Sequence, residues 1–448
     1  MTTHSLANNF KTAATAVVFI ALSHSTANAE GYQVNTLSAR QNGMAHTGVA
    51  IPLGAESMFF NPAGMTYMDN IIDFSGSFTA VIPVTKAILP DGSEYENART
   101  TATPINIGIA SKINKDWAVG ITFYTPYGSN IDWTDNWPGA ELNQRVKLSI
   151  YTVQPTLAWS PVKNLSIGAG LMITWGSVDL QKGLVSGSSM DVVLSSLGQD
   201  FRFGSTVPAS VRLTGKSQIA VGANIGAMYR INDQWTVGAS WRSQQTVKMR
   251  NGKAQVIFAN KIAQNMLENK LGLIDAANFK SQMPAPWVLA VGASYRPTDR
   301  WLLAFDAQLT GWKAYDWLNI DFSAEQLTAF NQHIKKNYHN AMTYKLGAQY
   351  SVTKRTDVRL GLMIDTTPVD DQFYNPETPG CTKIAPSAGV SYRPLKNLSI
   401  DASVLYVQGL NRTGSCTYTD MLLGTEKNFT ARYHVKAWAP SIGVHLSF

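Results

Sequence analysis

Side chains able to do covalent or metal chemistry are few and scattered in this 448-residue chain. Its seven histidines and two cysteines form no cluster with zinc-ligand spacing. There is no Gly-x-Ser-x-Gly elbow, no phosphate-cradling P-loop and no Gly-x-Gly-x-x-Gly turn after a strand. His434 and His445 have no evident serine partner on an adjacent strand. The residue types offer non-covalent capture instead. Val193 and Leu197 belong to one apolar cluster, with Met190, Val192 and Leu194. Phe258, Ile262, Met266 and Leu273 recur at amphipathic-helical spacing in another. Lys182, Arg212, Lys216, Arg242 and Lys248 stand near these clusters, and Lys345 lies further along. Greasy stripes beside basic groups suit a ligand with an apolar body and an acidic head; no cofactor or metal is called for.

The composition and the start of the chain indicate where such capture takes place. Charged residues are 15%, aromatics 10% and Gly 34 in number, against roughly 25% charged in ordinary soluble domains. The formal net charge of +7 is spread out, without the dense Lys/Arg runs of a nucleic-acid arm. Lys11, the apolar run Ala13–Leu22 and Ala27-Asn28-Ala29 read as a secretory signal, residues 1–29, cleaved after Ala29. That run is too short to span a bilayer as a helix, which needs about 20 residues.

Along the mature chain one pattern repeats: an apolar-alternating run, a short polar turn, then a second run. The turns are 113–116, 161–164, 231–234, 297–300, 353–355 and 394–397, where Asn, Asp and Pro supply tight-turn chemistry. Long connections (85–102, 126–145, 177–216, 249–285, 312–340, 366–382 and 411–431) alternate with them, which makes fourteen strands. An even strand number, with short turns at one end and long loops at the other, is the pattern of a bacterial outer-membrane barrel. The second face of each strand supports a membrane barrel over a soluble one. Leu165, Ile167, Ala169, Leu171, Ile173 and Trp175 alternate with Ser166, Gly168, Gly170, Met172, Thr174 and Gly176, where a water-facing sheet would carry Lys and Glu. The last strand alternates in the same way and ends on Phe448, resembling an outer-membrane assembly signal. Trp117, Trp235 and Trp301 would form an interfacial girdle. The expected fold is thus all-β: a fourteen-stranded antiparallel transmembrane β-barrel over residues 70–448.

Residues 30–69 do not alternate. Met44, Met58, Phe59, Phe60, Met65 and Met68 are each worth about 1.5–3 kcal/mol on burial, so the segment is expected inside the lumen as a hatch, the alternative being a detached periplasmic tail. Within it, Ser57-Met58-Phe59-Phe60-Asn61-Pro62-Ala63-Gly64 resembles the Asn-Pro-Ala hatch motif of the FadL-type outer-membrane transporters, a family that includes long-chain fatty acid and aromatic hydrocarbon channels. Thr125-Pro126-Tyr127-Gly128 ahead of Trp133 and Trp137-Pro138-Gly139, then Pro155 and Ala158, and Trp241-Arg242-Ser243 with Gly252, extend the resemblance over essentially the whole mature chain. It implies a monomeric barrel whose hatch, marked by Asn61, Pro62 and Ala63, blocks the lumen, and sideways release of hydrophobic molecules where one strand kinks. The third and fourth external loops play the collecting role in that family.

The expected function is passive uptake of hydrophobic compounds through the outer membrane, with long-chain fatty acids as the leading substrate class. A general porin and an aromatic hydrocarbon channel are the alternatives, and lipopolysaccharide and outer-membrane lipid are the expected surroundings. Ordinary loop packing explains part of the external apolar stripes; a groove formed by Val193, Leu197, Phe258, Ile262, Met266 and Leu273 is the expectation for the rest. Lys182, Arg242 and Lys345 are the carboxylate candidates, although each singly also suits a lumen acid such as Asp306 or Asp401, or a lipopolysaccharide contact. Cys381 and Cys416, in neighbouring external loops, are expected to pair as a disulfide.

Overall fold

The computed structural model describes residues 31–98, 100–271, 276–325, 328 and 331–448. The signal segment 1–29 and Leu273 lie outside the described residues. Fourteen strands close a ring: β1 Ile72–Thr79, β2 Ile105–Lys112, β3 Trp117–Asp132, β4 Arg145–Val162, β5 Leu165–Val185, β6 Ala220–Arg230 and β7 Trp235–Arg242, then β8 Val288–Thr298, β9 Trp301–Thr310, β10 Ala341–Thr353, β11 Thr356–Asp365, β12 Lys383–Leu395, β13 Leu398–Gly409 and β14 Glu426–Ser447. Each pairs antiparallel with the next, and β14 closes on β1 from Asp73↔Ser447 to Thr79↔Ser441. Ile72 and Phe448 exchange backbone hydrogen bonds, so both barrel ends meet on the short-turn side.

The turns form for the local reason the sequence suggests. Asn114 Oδ1 accepts from the N–H groups of Asp116 and Trp117 at 2.8 and 2.9 Å, and Asn232 Oδ1 does the same for Gln234 and Trp235 at 2.9 and 2.8 Å. Large apolar side chains face outward along every strand: Trp117, Val119 and Ile121, for example, are exposed while Ala118 and Thr122 are buried. Exposed Trp438 on β14 and Phe448 just past its end lie about 33 Å apart along the strand direction at ~3.3 Å per residue. At a tilt near 40° that is about 25 Å of height, the band typical of outer-membrane barrels. Trp117 stacks on Trp159 and Trp235 on Tyr295 at the short-turn rim. Phe123, Tyr151 and Trp175 cluster toward the other rim.

The long connections are not the open loops their composition suggests. Ile82–Ile88, Ala209–Lys216, Gln245–Phe258, Ala276–Ala285, Trp317–Phe322 and Arg412–Thr419 continue the sheet above the aromatic belt. Two helices, Gly187–Ser196 and Lys261–Leu271, cap it. Above the belt the alternation inverts. On β4, Lys147 is exposed and Leu148 buried, and on β5 Asp179 faces out toward Arg212 (2.6 Å) while Leu180 turns in. Outside the hydrocarbon there is water around the wall, so the polar side chains go outward and the apolar ones make a core.

Residues 31–70 thread the barrel. Ser38 caps the helix Ala39–Asn42, and short turns follow at Gly54–Glu56, Ser57–Phe60 and Pro62–Tyr67. Met44, Met58 and Met65 have no exposed surface. The wall makes room with inward glycines: a Cβ on Gly168 would stand 2.5 Å from the Pro62 carbonyl carbon, one on Gly347 2.8 Å from the Met44 oxygen, and one on Gly389 2.9 Å from Gly43 Cα. The small residues between the greasy ones are thus the space the segment occupies.

Candidate functional site: a filled lumen beneath an apolar cavity

The Asn-Pro-Ala element is locked to the wall atom by atom. The fully buried Asn61 donates through Nδ2 to the carbonyls of Val49 (2.8 Å) and Ala227 (2.9 Å), and its Oδ1 accepts from Ala63 N–H at 3.2 Å. Pro62 opens the turn where its missing N–H costs nothing. The carbonyl of Ala63 accepts from Ser166 Oγ at 2.7 Å. Gln154 and Asn224 both donate to the carbonyl of Met58, at 2.7 and 2.9 Å. On the far wall, Asp306 Oδ2 accepts from Gly48 N–H at 2.7 Å and Val49 N–H at 3.2 Å, and Ser294 Oγ donates to the Ala50 carbonyl at 2.8 Å. The segment is held chiefly by wall side chains acting on its backbone.

Its first residues reach the top of the membrane band and occupy a fault in the wall. The β2–β3 ladder stops at Asn106↔Tyr124, and the β3–β4 register shifts between Tyr124 and Tyr127. Beyond that point the edge of β3 bonds to the N-terminal segment: Val34 N–H donates to the Pro126 carbonyl and Gly128 N–H to the Tyr32 carbonyl, both at 2.9 Å. The irregular strand is therefore β3, at Thr125-Pro126. In β4, the pairing with β5 also lapses around Gln154 and Pro155.

Tyr32 forms the floor of an apolar cavity of about 50 Å³, lined by Leu148, Leu180, Leu213, Phe279, Met283, Leu318 and Ile320 among others. The Tyr32 hydroxyl donates to the Pro284 carbonyl, and its ring meets Trp312 edge-on at 4.8 Å. Above lies a polar mouth of about 510 Å³, which holds Lys182, Lys335, Lys336, Glu141 and Cys416. Glu377 borders the cavity and is ion-paired with Lys336, both nearly dry. Lys182, seven residues beyond the Trp175 belt and 8% exposed, donates to Gln332 Oε1 at 2.9 Å. Burial pushes its ammonium down to about 8, against which Glu377 acts in the opposite direction.

The three carboxylate candidates are not brought together. Lys182 alone faces the mouth. Arg242 stacks on the Phe59 ring at 4.4 Å, deep against the N-terminal segment. Lys345 turns inward as expected and donates to Gln308 Oε1 at 3.2 Å, in register with Asp306. The apolar candidates are spread as well. Val193 is half-buried, Leu197 and Ile262 are exposed, and Phe258 and Met266 pack partly on the external core. The helix Lys261–Leu271 buries Ala263 and Leu267, one position off the stripe read from spacing. None of Val193, Leu197, Phe258, Ile262 or Met266 lines the cavity or the mouth described above. The disulfide is a correction: Cys381 and Cys416 are both free and buried. Cys381 abuts Gly409, whereas Cys416 sits opposite Phe373 and Phe429 on another hairpin.

Tyr32, Lys336 and the inward apolar residues of the cavity were missed by residue-type reasoning. The available signal was the phase change on β5, where the apolar set passes from Leu171, Ile173 and Trp175 to Val178 and Leu180.

A family model described as outer membrane protein transport protein (OMPP1/FadL/TodX) matches residues 20–448. A long-chain fatty acid transport protein of Escherichia coli (strain K12) is 21% identical over 417 residues, covering 88% of this chain and 91% of that protein. A 47 kDa outer membrane protein of Pasteurella multocida (strain Pm70) is 24% identical over 405 residues, covering 87% and 89%. Among solved structures, a Pseudomonas aeruginosa FadL homologue superposes with a TM-score of 0.79 at 20% identity, covering 94% of this chain and 100% of that one. The Pseudomonas putida toluene transporter TodX superposes at 0.69 and 15% identity, covering 92% and 99%. At these identities the solved structures establish the fold, a closed fourteen-stranded barrel.

Proposed function

From a chain that belongs to the outer membrane protein transport protein family (OMPP1/FadL/TodX), we propose an outer-membrane channel that takes up hydrophobic compounds passively, long-chain fatty acids first among them. The observation that carries this reading is the stack of polar mouth, apolar cavity and Tyr32 above the fault in β3. A greasy solute leaves the mouth for the cavity because burial of each methylene is worth about 0.8 kcal/mol. Its carboxylate stays at the boundary, where Lys182 and Lys336 offer buried cations beside the more exposed Lys335, and an incoming carboxylate replaces Glu377 as the partner of Lys336. The cavity is narrow: benzene occupies a cavity of about 150 Å³ in an engineered protein core, three times the space here. Entry therefore requires Tyr32 to withdraw, and Tyr32 sits at the described start of the segment that also fills the fault. Withdrawal opens the edge of β3 toward lipid, so residues 31–70 act as the hatch and release is sideways. Exposed apolar loop residues such as Leu197 and Ile262 serve as first contacts, and the barrel works as a monomer among lipopolysaccharide and outer-membrane lipid.

A general porin would need an open lumen, and here the N-terminal segment fills it. The test is uptake by vesicles that contain only this protein. Oleate should enter without a proton gradient and with little steady ion conductance. A required gradient, or a large constant conductance, overturns the proposal; uptake of toluene with no uptake of oleate moves it to the hydrocarbon alternative.

A further inference from the structure

The short-turn mouth carries a feature that the uptake of greasy molecules does not use. Beneath the N-terminal segment lies a vestibule of about 800 Å³. Six Arg and Lys side chains line it, from Arg40, Lys163, Arg230, Arg296, Arg393 and Lys396, against three carboxylates, Asp69, Asp73 and Asp233. Two of these charges are already committed. Asp73 accepts from Ala55 N–H at 2.7 Å and meets His445 Nε2 at 2.5 Å, and Arg393 forms a two-pronged pair with Asp357. The guanidinium groups of Arg40, Arg230 and Arg296 make no hydrogen bond or ion pair with any described residue. Arg230 rests on the ring of Tyr67 at 3.9 Å, and Arg296 has Arg40 and Arg230 as like-charged neighbours, with Asp69 and Asp357 acting against them.

These three forked donors face one space in which cations outnumber carboxylates and none of the three is hydrogen-bonded to a carboxylate there; such a set suits an oxyanion, which accepts from several guanidiniums at once and relieves their repulsion. We infer that the short-turn vestibule is an oxyanion site, bridging Arg40 of the N-terminal segment to Arg230 and Arg296 of the wall. The ligand chemistry is a carboxylate or phosphate group, either on a free periplasmic anion or on the head of an amphiphile. Arg40 and the connection Met68–Asn70 belong to the segment that fills the lumen, so an occupied site ties that segment to the barrel. The inference concerns binding and stands independently of the transport reading.

The experiment is calorimetric titration of the detergent-solubilised full mature protein with inorganic phosphate and, separately, with octanoate. Losing one charge-assisted contact should weaken binding about tenfold, so Arg40→Gln and Arg296→Gln should each do so and Arg296→Lys should do less. Added chloride should weaken it further. Heat-modifiable gel migration reports whether each variant is a folded barrel. Phosphate binding that responds to these variants supports the site with a free anion as ligand; a responsive octanoate signal with phosphate silent supports it with an amphiphile. Silence from both, or binding indifferent to all three variants in folded protein, overturns the inference.

Discussion

Replacing Asp306 by Asn should loosen the N-terminal segment without unfolding the barrel. The Asp306 carboxylate is 2% exposed and one oxygen takes both the Gly48 and Val49 N–H groups, at 2.7 and 3.2 Å. Charge-assisted hydrogen bonds contribute about 1.5–3 kcal/mol and neutral ones about 0.5–1.5. Losing the charge therefore costs roughly 1 kcal/mol per bond, or about 2 kcal/mol for the pair. Relief from burying a carboxylate works the other way, but the variant also leaves Lys345, in register across β9 and β10, facing a neutral amide. A loss of about 2 kcal/mol raises the population of the opened segment about thirtyfold. Amide hydrogen exchange checks it. Protection at Met44–Ile51 should fall by about that factor, while the ladders of β9 and β10 keep theirs, and bilayer recordings should show more frequent brief openings. Unchanged protection at 44–51, or an equal loss throughout the strands, would refute the claim that this carboxylate anchors the segment.

Two further expectations follow from the same geometry. Gly361→Ala places a Cβ 2.5 Å from the Met44 carbonyl carbon and also against the Ala45 nitrogen. Overpacking of this kind costs about 1–3 kcal/mol, so trypsin should cut after Arg40 faster than in the parent while the barrel keeps its heat-modifiable migration. Lys182, whose ammonium burial pushes down to about 8, is charged below that pH and neutral above it. Affinity for a carboxylated ligand should fall as pH rises through about 8, and for the corresponding methyl ester it should stay flat. The stability effect has the opposite sign: the unfolded chain binds this proton more tightly, so the lysine's penalty is present below about 8 and is relieved as pH rises toward the ordinary lysine value. Equal pH profiles for acid and ester would remove Lys182 from headgroup binding.

The fold was legible because its rules are local. A period of two, Asn at the turns and small residues between the greasy ones are written in windows of about ten residues, and they suffice for fourteen membrane strands and for an apolar segment too costly to leave in water. Local rules fail where a residue's surroundings depend on chain far away. The strand fault at Thr125-Pro126 exists because residues 32–34 take the hydrogen bonds β2 would have made, and no run near Pro126 announces that. Ile262 belongs to the stripe read from spacing, yet its helix buries Ala263 and Leu267, because the phase is set by where the sheet beneath it stands. Cys381 and Cys416 are neighbours in loop order and their connections touch, yet Cys381 lies against Gly409 while Cys416 faces Phe429 and Phe373, a pairing set by register rather than by loop order.

Sequence alone therefore determined the barrel, its sidedness and the presence of something greasy in its bore, since each follows from which solvent a side chain of given polarity tolerates. The closed ring decided which groups meet: Lys182 with the mouth, Tyr32 with the cavity floor, and Arg40 with Arg230 and Arg296 at the opposite end. Such meetings are pairings across hundreds of residues, set by strand register and by the path of one threaded segment, and the amino-acid order near any one of them contains no record of the others.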